Sequence, residues 1–113
     1  MIGNIELTTD LLKEFVVKCL EEKKAEDILV IDIRQKTTLA EYIILASGRS
    51  TKNVGAIAEH LSLELKHQAN VNSNIEGLEQ SEWVLIDVGN ILVNIFYPEV
   101  REHFKLEDMW RKK

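Results

Sequence analysis

Apolar positions along the chain switch between two spacings, near 3.6 and near 2, and the switches mark out helices and strands. Leu12, Phe15, Val16 and Cys19 recur at helical spacing, with Leu11 and Leu20 at the edges of the stripe. Thr8-Thr9-Asp10 offers capping side chains just before them. Residues 27–33 and 42–47 then read as strands separated by a loop over 34–40. Both runs are nearly continuous in branched apolar residues, which predicts interior places in a sheet. Gly48-Arg49-Ser50 interrupts the second strand, and Ser50 is placed to cap a long helix. Val54, Ile57, Ala58, Leu61 and Leu65 form that helix's buried stripe, while Leu63 points away from it. Residues 70–80 are polar and read as irregular.

The strongest local pattern follows. Two apolar runs, 83–88 and 91–97, flank Gly89-Asn90, the signal for an antiparallel hairpin closed by a two-residue turn. This register sets Val88 opposite Ile91, Ile86 opposite Val93 and Val84 opposite Ile95, a wholly apolar face that belongs in a core. The other face carries Trp83, Leu85 and Asp87 against Phe96, Asn94 and Leu92. It mixes aromatics, aliphatics, an amide and a carboxylate, as a surface with a partner would. Pro98 stops the last strand and suits the first turn of a short helix ending near Phe104. Leu106 and Trp110 read as apolar anchors for the C-terminal segment.

The predicted order is helix, strand, strand, helix, strand, strand, helix, within one domain spanning residues 1–113. The expected fold class is α/β, a mixed sheet with helices packed mainly on one face. A strand–helix–strand unit over residues 42–88 is expected to be a parallel right-handed crossover. Each helix has a single apolar stripe, so three short helices cover one side of the sheet and hardly both. That leaves the face of Trp83 and Phe96 at least partly open. The competing reading is that a helix covers this face and makes Trp83 plain core.

A formal charge of −5 argues against broad phosphate-driven binding to nucleic acid, which needs a basic face. No apolar run reaches the roughly 18 residues that span a membrane. The first ten residues lack the order of a signal peptide, and Cys19, the lone cysteine, fits a reducing compartment. A cytoplasmic location is expected.

Candidate chemistry is sparse. A strand, Gly48-Arg49-Ser50 and a helix resemble the glycine-serine turn of nucleotidyltransferases, where a helix N-terminus holds phosphate. Those enzymes also need converging carboxylates on metal ions, and the chain has no Asp/Glu-x-Asp/Glu pair on a strand. Asp27, Asp32 and Asp87 are single carboxylates that read as acceptors for nearby backbone or Arg donors. His60 and His67 have no second ligand at a sequence spacing that closes a zinc site, and His103 is isolated. Cys19 reads as a small buried apolar residue. Neither an enzyme activity nor a cofactor, metal or small-molecule substrate is expected.

Several stretches together resemble the ribosomal silencing factor family, also called Iojap or RsfS. They are Glu41-Tyr42-Ile43-Ile44-Leu45-Ala46-Ser47-Gly48, Ala56-Ile57-Ala58-Glu59, Glu76-Gly77 and Trp83-Val84-Leu85-Ile86-Asp87-Val88-Gly89. Phe96-Tyr97-Pro98-Glu99, Arg101 and Leu106-Glu107 with Trp110 continue the match, which covers essentially the whole chain. The resemblance implies a nucleotidyltransferase-like fold without the catalytic carboxylates. It further implies docking on ribosomal protein fourteen of the large subunit, with ribosomal RNA at most peripheral. Docking there would block joining of the small subunit and lower translation when nutrients are short. Mapped onto this chain, the binding residues are Trp83, Leu85, Asp87, Asn94 and Phe96. A homodimer through the exposed sheet face is also implied. Asn94 and Asn53 stand where the family commonly has histidine, Asn90 where it has aspartate and Arg49 where it has a small residue. An asparagine hydrogen-bonds but carries no charge, which puts charged contacts at positions 90 and 94 in doubt.

Overall fold

The computed structural model describes residues 8–106 and 108; Trp110 and the basic triplet 111–113 lie outside them. The order is α1 (Thr9–Glu22), β1 (Glu26–Asp32), β2 (Tyr42–Ser47), α2 (Thr51–Ala69), β3 (Asn74–Glu76), β4 (Trp83–Asp87), β5 (Ile91–Phe96) and α3 (Pro98–Phe104). One five-stranded sheet holds them in the order β1-β2-β5-β4-β3. β2 and β5 pair in parallel at its centre, and the other neighbouring pairs are antiparallel.

Local signals explain the helix ends. Thr8 accepts a hydrogen bond from the Leu11 amide, and Ser50 accepts one from the Asn53 amide at 3.1 Å, each satisfying an orphan donor. Asn70 closes α2 in the left-handed conformation, and Pro98 occupies the first turn of α3. The predicted stripe of α2 is the observed one: Val54, Ile57, Ala58, Leu61 and Leu65 are buried, and Leu63 is exposed. In the hairpin Gly89 takes a φ of 91°, and Val84 pairs with Ile95 and Ile86 with Val93 as expected.

Four expectations are corrected. β1 is an edge strand, paired only with β2, despite its apolar run. A register irregularity between Glu26 and Leu29, with Asp27 at φ 52°, disrupts its start, as edge strands often show. The segment 70–80 contains a short strand, β3, whose single inward apolar residue, Ile75, pairs with Ile86. Three residues give too little alternation to be recognised. β3 opposes β4, which opposes β5, so the strand parallel to β2 after α2 is β3 and not β4. The anticipated parallel unit over 42–88 therefore closes one strand early.

Helices pack mainly on one face, as expected, and the fourth correction concerns α3 alone. α1 and α2 pack on one face, burying Leu12, Val16, Leu20, Ile57, Leu61 and Leu65 against Ile44, Ile86, Val93 and Ile95. α3 does not join them. Val100 and Leu106 pack on the opposite face with Phe96, Ile43, Leu45, Ile31 and Ile33. Arg101 of α3 donates to the Asp27 carbonyl and the Ser47 hydroxyl, fixing α3 across that end of the sheet.

The approach to β4 depends on Gly77. Its φ is 89°, and a Cβ there would collide with the carbonyl oxygen of Trp83. Gly77→Ala should therefore cost about 3 kcal/mol, combining left-handed strain with a backbone clash. Gly89→Ala meets no atom within 4 Å and should cost only about 1 kcal/mol of φ strain. Urea midpoints of the two variants check this; equal small losses would show that segment 77–83 has room to spare.

Candidate docking face

β4 and β5 present their mixed residues as cross-strand pairs, Trp83 with Phe96, Leu85 with Asn94 and Asp87 with Leu92. The pairing is the one read from the sequence, but exposure differs sharply among the six. Phe96 has no accessible surface and Asn94 is 5% exposed, whereas Trp83, Leu85 and Leu92 are half-buried and Asp87 is exposed. Phe96 thus lies beneath the face. α3 and Leu106 cover it, which is the competing sequence reading realised for this one residue.

Trp83 is held on three sides. Its ring centroid lies 5.2 Å from that of Phe96 and 5.1 Å from that of Phe104, both tilted, a favourable aromatic geometry. Its Nε1 donates to Asn94 Oδ1 at 2.8 Å. The bond fixes the indole's rotation and satisfies the amide oxygen of a buried side chain. Asn94 and Phe96 therefore set the pose of Trp83 from below. Phe104 continues the apolar surface sideways and is 52% exposed. Sequence reading placed Phe104 only as the end of a helix. Val100 and Phe104, four apart in α3, are the stripe that would have shown the helix has one apolar side.

From α3 outward the face runs from aromatic (Phe104, Trp83) through aliphatic (Leu85, Leu92) to acidic. Asp87 pairs with Asn74, and Leu85 with Glu76, so Glu76 and Asn74 of β3 share this side and are exposed. Asp87 also accepts from the Gly89 amide at 2.9 Å, coupling the acidic edge to the hairpin turn. The surface can bury rings and leucines against a partner and set carboxylates against basic groups. Its described residues supply no nucleophile–base pair.

The glycine turn of the nucleotidyltransferase reading serves packing and capping. A Cβ at Gly48 would lie 2.8 Å from Val54 Cγ2, so the glycine lets α2 approach the strand end. Asn53 accepts from the Arg49 amide at 2.9 Å, and its own amide donates to Ser50. Two amides that would face a phosphate are already bonded. Asp32 takes a bidentate grip from Arg34, whose hydrogen bonds lower its carboxyl to about 2. As expected, this carboxylate serves an arginine. Cys19 and Glu22 of α1 come together with His60 of α2, a juxtaposition of distant positions that sequence spacing does not show.

The comparisons with known proteins agree with this fold. Residues 6–113 match the family described as "Ribosomal silencing factor during starvation". A ribosomal silencing factor of Zymomonas mobilis is 39% identical over 101 residues, covering 89% of this chain and 76% of its own. A mouse protein named for mitochondrial assembly of the ribosomal large subunit is 29% identical, over 86% of this chain and 44% of its own. A crystal structure of a Chromobacterium violaceum protein superposes with a TM-score of 0.88 at 32% identity, covering 96% of this chain and 89% of that one. With a match that takes in both faces of the sheet and all three helices, the chain belongs to the ribosomal silencing factor family.

Proposed function

We propose that this chain is a translational repressor that docks on the large ribosomal subunit, through ribosomal protein fourteen, by the face of Trp83, Leu85 and Asp87. Docked there, it keeps the small subunit from joining. The observation that carries the reading is the half-open aromatic and aliphatic strip on a chain of this family, with Trp83 pre-set by Asn94 and Phe96. Association with ribosomes follows from the family; the partner protein and the blocking mechanism are our inference. The mouse relative's name, which ties that protein to the large subunit, supports the choice of subunit. Pre-orientation of the ring lowers the entropy lost on binding. Asp87 and Glu76 at the acidic edge suit a basic protein partner, with RNA at the periphery. The mechanism is occlusion and involves no bond chemistry. Among the described residues no helix is long and apolar enough to cross a membrane, and cytoplasmic action is part of the proposal. A second copy of the chain is expected to compete for the same face.

The test is co-sedimentation of tagged protein with isolated large subunits, alongside an assay of subunit joining. Trp83→Ala should weaken binding about 30- to 1000-fold, as loss of an interface hot spot of about 2–4 kcal/mol does, and should release the block on joining. The variant should stay folded, because Trp83 is only half-buried. Val84→Asp, one residue along, places a carboxylate at a position with no exposure and should unfold the domain. If Trp83→Ala still binds and blocks like the parent, the face is not the docking surface.

Asn94→Leu removes the acceptor for the indole while preserving size. A loss of about 1 kcal/mol is expected, seen as roughly fivefold weaker binding with little change at Asp87 or Leu85. An unchanged affinity would show that the ring's pose is set by stacking alone.

Salt separates a protein partner from an RNA partner. Affinity for large subunits should fall less than about tenfold between about 50 and 200 mM salt, against about a thousandfold or more for binding through many phosphates. A steep slope, or tight binding to naked ribosomal RNA, would replace the protein partner with RNA.

A further inference from the structure

The face of the sheet opposite Trp83 carries a second constellation. Cys19 and Glu22, three residues apart, share a side of α1, and His60 meets them from α2. The cysteine sulfur, a Glu22 oxygen and a His60 ring nitrogen all lie within 4.8 Å of one another. His60 Nε2 stands 3.3 Å from Glu22 Oε1. A tetrahedral zinc ion, with bonds near ~2.1 Å to nitrogen and oxygen and ~2.3 Å to sulfur, sets its ligand atoms about 3.4–3.6 Å apart. The nitrogen–oxygen edge thus nearly has its final length, and the sulfur needs to close by no more than about 1.2 Å.

We propose that Cys19, Glu22 and His60 bind a single divalent cation of the zinc class, which clamps α1 to α2. A sulfur and an imidazole exclude magnesium and calcium, which take oxygen ligands, and favour zinc or its borderline-soft neighbours. One thiolate and one carboxylate balance the two positive charges, with the imidazole neutral. Cys19 and Glu22, though not His60, line a cleft of about 260 Å3 together with Glu64 and Lys18, which gives an ion an approach from the α1 side. A water molecule fills the fourth position. Without metal, burial and the carboxylates of Glu22 and Glu64 push the Cys19 thiol up to about 11, and it is a protonated packing residue. Binding forms a metal–sulfur bond and releases that proton to solvent.

The proposal is independent of the docking reading. It is tested by titrating the full chain, freed of metal and kept reduced with a phosphine, with cobalt(II). One equivalent should produce a thiolate-to-cobalt charge-transfer band in the near ultraviolet and the intense visible bands of a tetrahedral site, and zinc should bleach both. Cys19→Ser should abolish the charge-transfer band. Glu22→Gln and His60→Gln should each weaken zinc binding more than about tenfold in chelator competition. These last two lie at or near the surface, so they keep the test sound if the buried Cys19→Ser variant fails to fold. His67→Gln and His103→Gln should bind zinc like the parent. No charge-transfer band at one equivalent, or a band that survives both Glu22→Gln and His60→Gln unchanged, would overturn the site.

Discussion

Because side chains alternate along a strand, the turn at Gly89 commits every residue of β4 and β5 to one of two faces. A slip of one residue would send Val84, Ile86, Val93 and Ile95 outward and bring Asp87 into the core. The whole arrangement depends on that register. The apolar set is buried beneath α1 and α2, and the burial of these residues opposes any slip. The proposed docking face exists because the face behind it is so thoroughly apolar.

The second face is built in two tiers. Phe96 and Asn94 are buried and fixed, and Trp83 rests on both. α3 contributes a wall, with Val100 turned to the core and Phe104 turned to the aromatic ring. A half-buried tryptophan with a satisfied indole is rigid before any partner arrives. Asparagine suits position 94 because it accepts from the indole without carrying charge into a site that is nearly closed to water.

On the far side, α1 and α2 form a shared layer whose seam holds the chain's one cysteine. The two surfaces are separated by the sheet. A clamp between the helices would stiffen the layer that supports the hairpin's apolar face and leave the aromatic face unaltered. The proposed clamp and the proposed docking face thus lie on opposite sides of one sheet.

The sequence by itself determined what depends on local periodicity. The stripes of α1 and α2, the Ser50 cap, the limits of β2, and the two faces of the hairpin with its register were all legible, since each is set by residues within a few positions. Membership of a known family was legible too, in the order of short stretches. Tertiary structure decided what depends on which surfaces meet. β3 pairs through one apolar residue, β1 lies at an edge despite its composition, and α3 crosses to the face that three helices seemed too few to reach. It also decided that Phe96 is a floor and Phe104 a wall, and that Cys19 lies beside a histidine 41 residues further on. Periodicity says that a side chain faces inward or outward; only the packing of distant elements says what it faces.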